Sequence, residues 1–300
     1  MNWRPLAVLA LALLAGAVPA LAPAQNPAAG PAIWSVRSGG ATVYILGTPA
    51  VTPKGLAWNT AVLDARLKGA NSLILPATPK IEALKMAKFV LTYKKSFEEA
   101  GPMEGTLPPP LRARFVAART RLGQDAGHYG KWKPGVAALI LSNDFRKTAH
   151  LAVGEPEKTA KALAGHNNTP QIHVASFDVM PLFQGYVTLP ESTHQDCLAD
   201  AVADVDAGGA RITAASQGWA RGDVRAAMTA ENGFRRCLAE VPGGAAFADR
   251  LTADTAAAIA AALTKPGRSV AVVQLRQLLD RGGVLDRLRA KGFVVEGPGG

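Results

Sequence analysis

The stretch from Pro31 to Trp58 constrains the fold most. Ile33 to Val36 and Ala41 to Leu46 read as two short apolar strands, with Arg37-Ser38-Gly39-Gly40 between them as a hairpin signal. In the second strand Val43 and Ile45 point one way and Tyr44 and Leu46 the other. Gly47 then gives the chain a sharp exit into the loop Gly47-Thr48-Pro49-Ala50. A loop at the end of a core strand is where an α/β protein places its chemistry. Pro49 and Ala50, however, carry no group that can move a proton, attack a carbonyl or hold a metal.

The rest of the chain alternates in the same way at its far end. Ser72 to Leu75 is a short buried strand stopped by Pro76, and Gln171 to Val174 is a further strand. Ser269 to Val273 is a buried strand, and Phe293 to Glu296 is the last one, after a helix over Val284 to Ala290. Helical spacing dominates between the ends. It covers Thr60–Lys68, Ile81–Tyr93, a helix opened by Pro108–Pro110, Gly135–Phe145, Glu155–Ala164, Glu191–Asp206, Gly209–Arg221, Val224–Leu238 and Leu251–Leu263. In the helix over Ile81–Tyr93, Ile81, Leu84, Lys88 and Leu91 share one face, with lysines elsewhere. The fold class is therefore α/β: a central mixed β-sheet formed by N- and C-terminal strand-helix units, with a largely helical middle region. Residues 31–297 read as a single domain carrying a helical insertion over about 77–265.

Residues 1–24 have the form of a cleaved secretory signal. Arg4 gives the positive start, Leu6 to Val18 is an unbroken run of Leu, Ala, Val and Gly, and Ala20-Leu21-Ala22 or Ala22-Pro23-Ala24 offers small residues for cleavage. The run is shorter than the ~20 residues a membrane-spanning helix needs. Residues 25–30 follow as a Pro/Ala/Gly-rich flexible lead-in. These features place the mature chain in the periplasm or outside the cell, with no transmembrane segment after cleavage. In an oxidising compartment the two cysteines, Cys197 and Cys237, are most simply a disulfide. The alternative, a thiol nucleophile or metal ligand, lacks a C-x-x-C spacing.

Charge is uneven. The chain carries a formal +10, and Arg66 to Lys147 alone holds 15 Lys and Arg against 6 Asp and Glu. Such a region suits an anionic surface of lipid headgroups or acidic glycans, although a solvated surface accounts for it too. Nucleic acid is excluded as a partner by export and by the lack of interleaved aromatics.

Pro31, Ile33, Trp34, Val36, Gly40, Val43, Tyr44, Leu46, Gly47, Thr48, Val51 and Trp58 fit the pattern P-x-[LI]-W-x-[VI]…G…[VI]-[YW]-[LI]-L-G-T-I-H-V…W. Gly283-Val284-Leu285, Leu288, Arg289, Gly292, Phe293 and Val295 fit G-[LV]-L-x-x-L-[RK]-x-x-G-[FY]-x-V, and Lys133-Pro134 fits the first two positions of a central K-P-W. In these motifs the chain resembles the TraB/GumN/PrgY family, which is related to the Tiki proteins and more distantly to the erythromycin-esterase and ChaN group. The resemblance implies a metal-dependent hydrolase, a peptidase in Tiki-like members. Its site would use two G-x-x-H histidines, a glutamate ending the second core strand and an Arg-Asn pair. Two histidines and a carboxylate can hold a divalent metal that activates water.

This sequence departs from that set at both histidines, the glutamate and the arginine, and keeps only the asparagine. The first histidine position is Ala50, beside Pro49; the glutamate position is Pro76. The second motif reads Gln274-Leu275-Arg276-Gln277, and the Arg-Asn pair reads Glu231-Asn232. A glutamine amide is a poor metal ligand and no base. The expectation is an envelope protein without the family's metal or any other cofactor, binding or scaffolding an unidentified peptide, protein or glycan. Gly47, Thr48, Asn232, Gln274 and Gln277 are its candidate binding residues. A hydrolase with a relocated site is the alternative, requiring two or more of His150, His166, His173 and Asp178 to converge near the Gly47 loop. Basic docking through residues 66–147 is another. His128 and His194 form no short metal-type cluster, and Asp196 is a further candidate acid. No serine sits in G-x-S-x-G. Trp34 and Trp58 read as core anchors.

Overall fold

A computed structural model describes residues 30–230 and 233–298. The expected signal peptide, residues 25–29 of the lead-in and the Glu231-Asn232 pair lie outside the described residues. The chain opens with β1 (Ile33–Ser38) and β2 (Ala41–Thr48), an antiparallel hairpin in which Ser38 pairs with Ala41. Gly39 closes it at φ 53°, a left-handed conformation that suits glycine. Then follow β3 (Val51–Pro53), α1 (Ala61–Leu67), β4 (Leu73–Leu75), β5 (Thr78–Lys80) and α2 (Ala83–Phe97). The middle region continues with α3 (Met103–Thr106), α4 (Pro109–Arg121), α5 (Ala126–Tyr129), α6 (Pro134–Thr148), β6 (Leu151–Val153) and α7 (Glu155–His166). After it come β7 (Gln171–His173), β8 (Ser176–Asp178), α8 (Met180–Val187), α9 (Glu191–Ala220), α10 (Val224–Ala227), α11 (Gly233–Glu240) and α12 (Gly244–Ala262). The chain closes through β9 (Gly267–Gln274), α13 (Leu275–Leu279), α14 (Val284–Ala290) and β10 (Val294–Glu296).

Six strands form a mixed sheet in the order β10-β1-β2-β9-β4-β7. The first three pair antiparallel, and β2, β9, β4 and β7 run parallel. Ser269 to Val273 of β9 are buried in succession, as a parallel strand covered on both faces requires. The N-terminal and C-terminal strands thus meet in one sheet, as the sequence pattern implies. Three-residue strands pair outside it, β3 antiparallel with β6 and β5 parallel with β8.

Two main cores result. One is the sheet core, built from Trp34, Ile45, Leu63, Leu67, Leu73, Ile259, Val270, Val284 and their neighbours. The other lies among the helices and contains Met103, Phe115, Tyr129, Leu141, Leu198 and Val202. The middle region is not confined to the second. It returns to the sheet with α7 and β7, and again with Trp219, Ala227 and Ala256.

Helix α9 joins the two cores. Its first half buries Cys197, Leu198, Ala201, Val202 and Val205 among the helices, and its last turns bring Trp219 to the sheet. Between them Gly208 stands at φ 71° and ψ 170°, which breaks the helix where the sequence ends one helix at Asp206 and opens the next at Gly209. Cys197 of α9 and Cys237 of α11 form a disulfide with their Cα atoms 5.2 Å apart.

Two helices differ from the sequence expectation. The single helix over Val224–Leu238 is instead α10 and α11, because the chain turns after Ala227. In α2 the buried side is Phe89, packed with Met86, Tyr93, Phe97 and Phe183; the face with Ile81, Leu84 and Leu91 is exposed. Phe89, Tyr93 and Phe97 lie four residues apart, so their aromatic stripe seats against α8 in place of the leucine stripe. No helix among the described residues is long and apolar enough to cross a membrane.

Candidate functional site

Thr48 at the end of β2 pairs in register with Gln274 at the end of β9, so the two loops that follow leave the sheet side by side. Only Pro49 and Ala50 separate β2 from β3, and β3 pairs with β6 outside the main sheet. Proline fixes φ and donates no hydrogen bond, which suits the residue where the ladder must stop.

The turn is anchored from behind. The indole Nε1 of Trp219 donates to the Gly47 carbonyl at 2.6 Å, deep in the core, and Trp58 packs edge-on against Trp219 with ring centroids 5.2 Å apart. Trp34 is a buried core side chain, and Trp58 is half-buried against the same core. Gly47 owes its identity to space. A Cβ there would stand 2.6 Å from Leu275 Cδ2 and 2.8 Å from Trp34 Cζ3. Its φ does not lie in the left-handed region, which corrects the expectation that Gly47 serves a sharp exit.

Above the strand ends lies a cleft of about 100 Å³, lined by Thr48, Pro49, Ala50 and Gln274 and closed by Ile212 and Met228. Among the described residues its one ionic side chain is Arg276, whose Nη2 donates to the Met228 carbonyl at 2.9 Å and whose Nη1 lies 3.9 Å from Asp280. Thr48 Oγ1 is turned back toward the Val273 carbonyl at a long 3.5 Å. The cleft therefore offers apolar walls, one exposed amide (Gln274) and the edge of a guanidinium.

The other candidate positions fall elsewhere. Gln277 donates from Nε2 to Thr255 Oγ1 at 3.1 Å and ties α13 to α12. Pro76, at the end of β4, accepts at its carbonyl from His173 Nδ1 at 2.9 Å. Glu231 and Asn232 are not described. The four residues of a relocated site occupy four separate junctions. His150 sits in the turn before β6, with its carbonyl accepting from the Lys54 amide, and His166 ends α7. His173 ends β7, and Asp178 ends β8. Asp178 is held below the usual carboxylate range by the Met180 amide, with Lys85 assisting. His194 is buried, stacked on Tyr186, with Nε2 donating to the Tyr186 carbonyl at 3.0 Å. Asp144, missed in the sequence, is buried and accepts from His128 Nε2 at 2.7 Å and Tyr129 OH at 3.2 Å inside the helical core. Ile212 and Met228 carry no sequence signal as cleft residues, and Arg276 is visible only as part of the second motif, because these three stretches of chain meet only in the fold.

The donor set that the described residues bring to the cleft does not fit a divalent metal. The cleft presents a hydroxyl, an amide and a guanidinium, none of them a competent ligand for such an ion. Among the described residues no group of three or more His, Cys, Asp and Glu is placed to hold one.

Compared with known proteins, residues 32–297 match the model of the TraB/PrgY/gumN family. No curated protein and no solved structure matches the chain.

Proposed function

The chain belongs to the TraB/PrgY/gumN family, and on that premise we propose that it is a catalytically degenerate member, exported to the cell envelope, that binds or scaffolds without cleaving. The observation that carries this reading is the cleft at the ends of β2 and β9. It keeps the position in which an α/β fold presents a ligand site, yet its walls are Thr48, Pro49, Ala50, Met228 and Gln274. Among the described residues that line it, none is a general base, and the Thr48 hydroxyl, turned toward the Val273 carbonyl, has no base beside it to make it a nucleophile. Apolar walls with one amide and one cation suit a single side chain of a peptide or one edge of a glycan ring, the cleft of about 100 Å³ being small beside the ~300 Å³ of a whole-ligand pocket.

The test combines metal analysis with ligand screening. The purified protein, dialysed against zinc or manganese, is expected to retain no stoichiometric metal. On peptide and glycan arrays it is expected to bind without cleaving, and Met228→Trp, which fills the cleft, is expected to abolish that binding. One tightly held divalent ion per chain, or metal-dependent cleavage of an array member, would overturn the reading.

A further inference from the structure

Helix α2 presents a face that the protein itself leaves bare. Its inner side is committed to α8 through Phe89, Tyr93 and Phe97. On the outer side Leu84 is 83% and Leu91 79% exposed. Seven residues apart, they project from the same side of the helix, about 10 Å from one another. Lys88 and Lys95 follow each leucine at i+4, so the stripe alternates leucine and lysine. Ile81, just before the helix, and Val90 on its flank add exposed apolar surface at 57% and 48%. The helix carries Lys85, Lys88, Lys94 and Lys95 and no acidic residue. Lys85 is engaged by Glu82 and Asp178.

We propose that α2 docks this protein on an anionic lipid bilayer, with Leu84 and Leu91 entering the headgroup–acyl boundary and Lys88, Lys94 and Lys95 meeting lipid phosphates. This is the arrangement of an interfacial helix, in which apolar burial and electrostatic attraction act together. The stripe is too small for a protein partner. A stable interface needs about 800 Å² from each side, and two leucines on a convex helix, flanked by lysines, do not supply it. A bilayer requires only shallow insertion and pairs readily with flexible lysines. The proposal is independent of the cleft and survives whether or not the cleft binds a ligand.

The experiment is co-sedimentation of the purified chain from residue 25, without the apolar run Leu6–Val18, with vesicles of phosphatidylcholine alone and of phosphatidylcholine with one quarter phosphatidylglycerol. Binding is expected only to the phosphatidylglycerol vesicles and is expected to fall steeply between 50 mM and 500 mM salt, conditions chosen to span roughly a threefold change in Debye length. Lys88→Gln/Lys94→Gln/Lys95→Gln is expected to weaken it about 100-fold, at roughly 5-fold per lysine. Leu84→Ser/Leu91→Ser leaves the charge unchanged and is expected to weaken it at least about tenfold. All five positions are exposed, and unchanged circular dichroism would confirm folding. The proposal is overturned if the phosphatidylglycerol vesicles are not bound, or if both variants bind like the parent. It is also overturned if the leucine variant instead converts a dimer to a monomer in sedimentation equilibrium without changing vesicle binding.

Discussion

At Gly47 the chain has no room for a Cβ. Leu275 can swing a methyl aside, but the Trp34 ring is pinned in the core. Gly47→Ala is therefore expected to cost about 1–3 kcal/mol through overpacking, read as a lower urea midpoint with an unchanged slope. Trp219→Phe keeps the ring but strands the Gly47 carbonyl, which accepts the indole hydrogen bond at 2.6 Å. A buried acceptor left without its donor costs about 1–3 kcal/mol, and the same titration checks it. Neither cost was legible in the sequence. Gly47 reads as a strand-end glycine, and its partners are remote in the chain. Titration adds a third expectation. Burial pushes the Tyr186 hydroxyl above its ordinary pKa near 10, and burial followed by the Asp144 charge does the same to Tyr129. A raised folded-state pKa leaves stability intact while both states are protonated. Stability is then lost as pH rises through and beyond the unfolded value of about 10. The thermal midpoint is expected to hold from pH 8 to 9 and fall above 10, less steeply in Tyr186→Phe.

Helices with a strong local signal are legible in the sequence, and those that depend on a neighbour are not. The break in α9 was visible because Gly208-Gly209 interrupts two helical patterns, and Gly208 adopts φ 71° with ψ 170°, a region nearly reserved for glycine. Gly208→Ala is expected to lose about 1–3 kcal/mol, although its Cβ would meet nothing within 4 Å. Thermal unfolding of that variant separates backbone strain from packing, since only strain is available to act. By contrast α8 was missed because Pro181 and Gly185 look like breakers. Pro181 stands in the first turn, where proline is tolerated, and Gly185 lets Val241 pack closely, 2.9 Å from where its Cβ would be. The ribbons of β3 with β6 and β5 with β8 are three residues long, too short to show a period of two. In α2 the period was right and the buried face was wrong. Leucines and aromatics both recur at helical spacing there, and only the position of Phe183 on α8 decides between them.

Across the whole molecule, the disulfide spans a loop that leaves the helical core at Cys197, crosses the sheet core at Trp219 and Ala227, and returns at Cys237. The sequence pointed to the pair through export and an even cysteine count; the path between the two cysteines is visible only in the fold. Closing a loop of this length contributes up to ~4 kcal/mol by restricting the unfolded chain. Both sulfurs belong to the helical core, whereas Trp34 and Trp219 lie in the sheet core. The two cores are joined by α9 through the kink at Gly208. Oxidised protein is expected to show one denaturant transition, with far-UV circular dichroism and tryptophan fluorescence superimposed. After reduction, in a Trp132→Phe background that leaves the fluorescence of residues 31–298 to the sheet side, the circular dichroism transition is expected to move to lower urea and to precede the fluorescence change, because the helical core loses its covalent tie while the sheet keeps its ladder. Superimposed transitions in the reduced protein would mean that Trp219 and α9 couple the cores strongly enough to unfold as one unit without the disulfide.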